Sequence, residues 1–359
     1  EISLAHQGVL FLDELPEFPR AALEARGIEP RSRVALLVGN SVATVITLHA
    51  LIDLGATIVP IHPRLTPSEA ALLLADAAPA LVLRDEDLAA LAASRAPASH
   101  GPRAALDPEM PLAMVYTSGT SGKPKGAVLS RRAFLASAEA SAANFGWTDD
   151  DRWLLCLPLC HVGGLSILTR CLLARRPIVL EPRFDPDAVL AAIDRHRATM
   201  LSVVPTMLRD LLERDERGAL ARLRVLLSGG AGTPPSLLEA CARRGVPLLT
   251  TYGLTEACSQ IASQRPSSPY RPEPGSGRAL PGAELRIVGA RGYEPGNIQV
   301  RGPMLMSGYW RGEGRALDGA TDAEGWFETG DLGTLDEAGR LHVASRRSDL
   351  IVTGGENVY

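Results

Sequence analysis

This chain of 359 residues contains two lysines, Lys123 and Lys125, and both fall in one short stretch, Tyr116 to Gly126, which reads YTSGTSGKPKG. All the rest of its 37 basic side chains are arginine. Gly119, Gly122 and Gly126 let the backbone come close to an anion. Thr117, Ser118, Thr120 and Ser121 offer hydroxyl and amide donors, and the two compact ammonium groups add charge. Such a stretch is suited to cradling phosphate. A second stretch with chemical potential is GVLFLDELPEF, residues 8–18, where the apolar run Val9 to Leu12 ends in Asp13 and Glu14. Carboxylates at the end of a buried strand can hold Mg²⁺ and polarise water.

The two stretches do not combine into a P-loop ATPase. The pattern G-x-x-x-x-G-K-[ST] would need glycine at 117 and a hydroxyl residue at 124, where this chain has Thr117 and Pro124. No other segment supplies that pattern. The opening EISLAHQGVLFLDELPEFPR resembles the magnesium-chelatase-like branch of the AAA+ ATPases, but without a P-loop of that pattern Asp13 and Glu14 cannot run an ATPase cycle. Residues 1–24 are therefore read as a vestigial or fused segment rather than a domain. The motor ATPase is the remote alternative.

The elements that must position the phosphate cradle follow a regular alternation. RVALLVG (33–39) predicts a buried strand. Residues 40–55 predict a helix capped by Asn40 or Ser41 and stopped by Gly55. TIVPI and ALVLR predict strands. Between them Thr66 caps a helix that has Pro67 at its first position. Residues 94–111 read as an exposed connection. The cradle itself lies between two strands, LAMVYT and AVLS, and strand–helix alternation then runs to about 253. From about 270, short alternating strands rich in Gly and Pro predict a β-rich subdomain. The 11 residues between Leu15 and Gly27 hold Pro16 and Pro19, and predict no full helix.

Composition narrows the function. A net charge of −4 and a pI near 6.0 argue against nucleic-acid or membrane-surface partners. The apolar runs are too short and interrupted to span a bilayer. The five cysteines, Cys156, Cys160, Cys171, Cys241 and Cys258, lack C-x-x-C spacing. They predict buried reduced thiols and a cytoplasmic location rather than disulfides or structural zinc.

The YTSGTSGKPKG loop resembles that of the adenylate-forming superfamily of acyl-CoA synthetases, aryl-CoA ligases, luciferases and adenylation domains, and further motifs follow in the family's order. In LPLCHVGGL (157–165), the resemblance makes His161 the residue that gates the acyl pocket. In LLSGGAGTPP (226–235), Gly229, Gly230 and Ala231 would line the adenine. In TTYGLTEACSQ (250–260), Thr251, Tyr252 and Gly253 would bind nucleotide with Tyr252 stacked on the base, Thr255 would bind the α-phosphate and Glu256 would ligate Mg²⁺. WFETGDLG supplies Asp331 for the ribose hydroxyls, and SRRSDLIVTGGENVY (345–359) supplies Arg346 near the ribose. Lys123, Lys125, His161, Thr255 and Glu256 would be the catalytic set.

The resemblance implies an α/β fold: a large domain, residues 25–345, of two stacked mixed sheets with helices, and a small β-barrel-like subdomain at about 270–345. Residues 346–359 would be the hinge to a small C-terminal domain absent from this chain. Ser345 and Ser348 depart from the family's usual hinge residues. The implied activity is ATP- and Mg²⁺-dependent joining of a carboxylic acid to coenzyme A through an acyl-AMP. Among the branches, YGLTEACSQI with LPLCHVGGLSIL and LIVTGGENVY most resembles the o-succinylbenzoate–CoA ligases of menaquinone biosynthesis. A substrate with an aromatic ring and a second carboxylate needs polar partners beside apolar walls. Ser228, Ser259 and Gln260 are the polar candidates, and His161, Gly164 and Leu165 the wall or gate. The alternatives are a fatty-, aryl- or malonyl-type synthetase, a domain that loads a carrier protein, and a non-catalytic remnant. Homo-oligomerisation is left open.

Overall fold

The computed structural model describes residues 9–10, 17–92, 106–117, 124–267, 270–290, 294–319, 321–346, 351–353 and 356–358. Two mixed sheets dominate. The first has six strands in the order Gly308–Tyr309, Lys125–Ser130, Pro111–Thr117, Thr57–Pro60, Arg33–Leu37, Leu81–Arg84. Pairing is parallel from Pro111–Thr117 through to Leu81–Arg84 and antiparallel beyond Pro111–Thr117. The second has eight strands in the order Val9–Leu10, Ile178–Leu180, Trp153–Leu155, Met200–Val203, Val225–Ser228, Leu248–Leu254, Ser259–Ser263, Arg278–Ala279. Its middle is parallel and its two ends are antiparallel.

The period-two pattern explains the stacking. Because successive strand residues face opposite sides, Val34 and Leu36 enter one core while Ala35 and Leu37 enter another. In the second sheet, Trp153 and Leu155 join the same core as Val34, whereas Leu154 and Cys156 face away. The two sheets thus share one central core. The helices Val42–Leu54, Arg131–Phe145 and Val162–Ala174 contribute to it. Pro186–His196, Pro205–Arg214 and Pro235–Arg243 cover the far side of the eight-stranded sheet, and Pro67–Ala77 covers the far side of the six-stranded one.

Local signals end these elements where expected. The Ser41 hydroxyl accepts from the Thr44 amide, and Gly55 closes the same helix in the left-handed region at φ 79°. Thr66 and Glu69 form a reciprocal capping box ahead of Pro67. Asn40 is not the cap. Its side chain donates to Leu157 O at 2.9 Å and accepts from Leu159 N at 3.0 Å, so it fixes the loop before His161.

The stretch with two prolines corrects the expectation of no full helix. Glu17–Glu24 is helical. Pro19 falls in the first turn, whose amides have no partner within the helix, so the missing N–H costs no bond. Arg20 then bonds Glu24 at 3.0 Å and Asp53 at 2.7 Å, and Leu23 is fully buried, which fastens this helix to Val42–Leu54. Upstream, Val9–Leu10 pairs antiparallel with Ile178–Leu180. Asp13 and Glu14 lie outside the described residues.

The subdomain expected to be β-barrel-like is a four-stranded antiparallel sheet: Glu284–Val288, Gly296–Arg301, Phe327–Leu335, Leu341–Arg346. Among the described residues no helix is long and apolar enough to cross a membrane.

Candidate functional site

A cavity of about 790 Å³ opens where the parallel strands of the two large sheets end. From the six-stranded sheet come Val38 to Asn40, which follow Arg33–Leu37, and His62 to Arg64, which follow Thr57–Pro60. From the eight-stranded sheet come Cys156 to Gly164, Val204, Gly229, Gly230, Thr251, and Gly253 to Thr255. Apart from Thr251, which lies mid-strand in Leu248–Leu254, these sit at or beyond carboxyl ends of strands, the usual ligand position in parallel α/β sheets.

His161 occupies the N-cap position of Val162–Ala174 and lines the cavity, its ring 5.9 Å from that of His62. Gly164 lies in the first turn of that helix, pressed on the preceding loop. A Cβ there would sit 2.3 Å from Pro158 O. Ser259 and Gln260 also border the cavity. The Gln260 side chain is already engaged, donating to Thr251 Oγ1 at 3.1 Å and accepting from Ser141 at 3.3 Å. Leu165 and Ser228 do not border it. Leu165 is buried in the central core, and the Ser228 hydroxyl braces Thr233 at 2.8 Å across the Gly229–Thr233 turn. Ala231 is exposed on that turn.

The residues assigned to nucleotide form a second group beside the cavity. Thr251, Gly253 and Thr255 reach its lining, and the Thr251 hydroxyl donates to Ala262 O at 2.7 Å. At Gly253 a Cβ would fall 2.0 Å from Ser259 O, so this crossing of two strands requires glycine. Tyr252 is buried, and its hydroxyl donates to Asp331 Oδ2 at 2.6 Å. Asp331 is also the direct cross-strand partner of Arg346, so register alone places together the two residues assigned to the ribose. Glu256 accepts at Oε1 from the Tyr309 hydroxyl at 2.8 Å, and the Lys125 ammonium lies 5.2 Å from the centre of the Tyr309 ring. Burial first, and Glu256 second, hold the Tyr309 phenol well above its usual range, so it stays a donor. Thr117 pairs with Lys125 at the base of the hairpin. Ser118, Gly119, Thr120, Ser121, Gly122 and Lys123 lie outside the described residues, as does the Arg346 side chain.

The donor set fits Mg²⁺. A hard cation that keeps phosphate and water ligands needs one or two carboxylate oxygens from protein. With Oε1 held by Tyr309, Glu256 has Oε2 without a hydrogen bond among the described residues.

One cavity residue was missed from sequence. Arg170, in the middle of Val162–Ala174, is 3% exposed and lines the cavity, its guanidinium 5.7 Å from the Trp153 ring centre. Its Nε and Nη2 have no hydrogen-bond partner among the described residues. Burial pulls its pKa down to about 10, so it remains charged near neutrality. A buried cation without a partner is costly, and an anion in the cavity would offset that cost. An arginine inside the apolar run LSILTRCLLA was the available signal. Tyr309 carried none, since its partner lies 53 positions away.

The model of the AMP-binding enzyme family matches residues 20–310, and that of magnesium chelatase subunit ChlI matches residues 1–33. The 2-succinylbenzoate–CoA ligase of Bacillus cereus (strain AH820) is 39% identical over 347 residues, covering 93% of this chain and 72% of that protein. Among solved structures, a double mutant of o-succinylbenzoate CoA synthetase (MenE) from Bacillus subtilis, bound with its product analogue OSB-NCoA, superposes with a TM-score of 0.87. It is 35% identical and covers 96% of this chain and 74% of that one. The same enzyme in complex with ATP and magnesium ion gives a TM-score of 0.82 at 34% identity, covering 96% and 76%.

Proposed function

Because the chain belongs to the AMP-binding enzyme family, we propose that it carries the nucleotide- and acid-binding part of an ATP-dependent o-succinylbenzoate–CoA ligase. The observation that carries the substrate is Arg170. o-Succinylbenzoate has two carboxylates, one to be activated and one to be recognised, and a buried guanidinium in the cavity wall suits the second. A fatty acid would leave that charge unpaired.

In the first half-reaction, an oxygen of the succinyl carboxylate attacks the α-phosphorus of ATP. The bond to pyrophosphate breaks and acyl-AMP forms. Lys123 and Lys125 screen the approach of two anions, and Thr255 holds the α-phosphate. Tyr252 fixes the Asp331 carboxylate, which with Arg346 binds the ribose hydroxyls. Glu256, oriented by Tyr309, holds Mg²⁺, which when bound neutralises phosphate charge. In the second half-reaction, the thiol of coenzyme A attacks the acyl carbon and AMP leaves. Residues 25–345 form the binding domain and 346–359 the hinge in this reading. Five thiols, all buried and none in a disulfide, support a cytoplasmic location.

Calorimetry tests the substrate, using non-hydrolysable acyl-adenylate mimics that carry o-succinylbenzoyl, benzoyl or fatty acyl groups. At least tenfold preference for the first, about 1.4 kcal/mol, is expected. Equal or reversed preference would overturn the named acid.

A further inference from the structure

His62, Cys160 and His161 each offer a ligand atom, and these atoms all lie within 4.8 Å of one another. They come from different sheets. His62 follows Thr57–Pro60 in the six-stranded sheet, while Cys160 and His161 follow Trp153–Leu155 in the eight-stranded one. All three line the cavity. The geometry points to an inhibitory site for a zinc-class cation, formed by these three side chains in the wall of the acid-binding cavity.

Two imidazoles and a thiolate are the donors of Zn²⁺, Co²⁺ and other borderline or soft ions, and they do not suit the hard Mg²⁺ that the reaction uses. Tetrahedral bonds of about 2.0–2.3 Å place ligand atoms roughly 3.3–3.8 Å apart. Starting from no more than 4.8 Å, the ligand atoms need close by at most about 1.5 Å, a movement that rotamer adjustment at a cavity wall can supply. Three protein ligands leave a fourth position for water. Asn40 holds the Cys160 loop from the opposite sheet through Leu159 N, so the backbone that carries Cys160 and His161 is braced.

Capture of the ion has consequences that can be read. The Cys160 thiol releases its proton and the metal–sulfur bond forms, so binding strengthens as pH rises. The Nδ1 of His62 accepts from Arg64 N at 3.1 Å, and a metal on either ring nitrogen ends that bond. Through Nδ1 the lone pair is used directly, and through Nε2 the ring proton must move to Nδ1. His161 is drawn from the acid, and the two halves of the cavity are pinned to one another. The inhibitory consequence rests on the proposed acid-binding role of the cavity, whereas the metal site itself does not.

The test uses Co²⁺ as a spectroscopic probe and Zn²⁺ by calorimetry, on the metal-free chain without substrate. The wild type is expected to bind one equivalent and to show a thiolate-to-cobalt charge-transfer band. Cys160→Ser should lose that band and bind Zn²⁺ at least tenfold more weakly, and His62→Gln should weaken binding similarly. Cys241→Ser, in the outer core, should match the wild type. Circular dichroism confirms that each variant is folded. Absence of the band in the wild type, or unchanged Zn²⁺ affinity in folded Cys160→Ser, would overturn the site. Zinc should also lower the affinity for the o-succinylbenzoyl-adenylate mimic at least tenfold. Zinc binding that leaves mimic affinity unchanged would overturn the inhibition, while failure of the mimic to bind the metal-free chain would count against the ligase reading instead.

Discussion

The hydroxyl of Tyr309 donates to Oε1 of Glu256 across 2.8 Å, joining the edge strand Gly308–Tyr309 of one sheet to the turn Thr255–Ala257 that follows a strand of the other. The same ring carries the Lys125 ammonium at 5.2 Å. One side chain thus touches both the carboxylate assigned to Mg²⁺ and a lysine assigned to phosphate. Tyr309→Phe should cost about 1.5–3 kcal/mol of that interaction, as expected for a hydrogen bond to a charged group. Its signature is weaker binding of Mn²⁺ in the presence of an ATP analogue, by roughly tenfold in electron paramagnetic resonance titration. Affinity unchanged within twofold would remove Tyr309 from the site.

Arg170→Met separates binding from stability. Removing a buried charge whose Nε and Nη2 have no hydrogen bond among the described residues should leave the apo chain as stable as before, or more stable by about 1–2 kcal/mol. Affinity for the o-succinylbenzoyl mimic should fall about 100-fold, near 2.7 kcal/mol, with the benzoyl mimic little affected. Chemical denaturation and calorimetry on the same variant check both parts. Equal losses for the two mimics would argue against recognition of a second carboxylate.

Gly164→Ala should displace the loop that carries His161, because the new methyl would meet Pro158 O at 2.3 Å. A loss of roughly 1–3 kcal/mol in stability is expected from such overpacking, together with weaker binding of every acyl mimic. Thermal unfolding and calorimetry read the two effects. A variant as stable as the wild type would show that the loop yields freely.

Acid stability should depend on His49. Burial in Val42–Leu54 pulls its pKa down to about 4. With a depressed pKa in the folded state, the unfolded chain binds the extra proton first as pH falls below the ordinary histidine value. Stability contributed by neutral His49 is present above about pH 6.5 and is lost progressively down to about pH 4. The full loss is on the order of 3 kcal/mol. His49→Leu should flatten the denaturation midpoint between those two pH values. An unchanged slope would assign the acid sensitivity to other groups.

Much of the fold was legible because its signals are local. Ser41 and Gly55, or Thr66, Pro67 and Glu69, fix helix ends through bonds to residues three or four positions away. The strand alternation at Val34 to Leu37 separates two cores using only neighbouring side chains. The helix Glu17–Glu24 forms despite two prolines because their position, not their number, decides the cost. In a first turn the ring costs no hydrogen bond, and the anchor, Asp53, is distant in sequence.

The sequence by itself determined the α/β alternation, the order of the motifs that match the family and the gathering of glycines and both lysines in one short stretch, since caps, glycines and charge are properties of short segments. Tertiary structure alone decided that Arg170 would be buried against Trp153 in the cavity wall, that Asp331 would face Arg346 across a strand pair, and that His62 would meet Cys160. Burial and partnership are set by which distant segments pack together, and the two stacked sheets bring the ends of their strands to a single cavity.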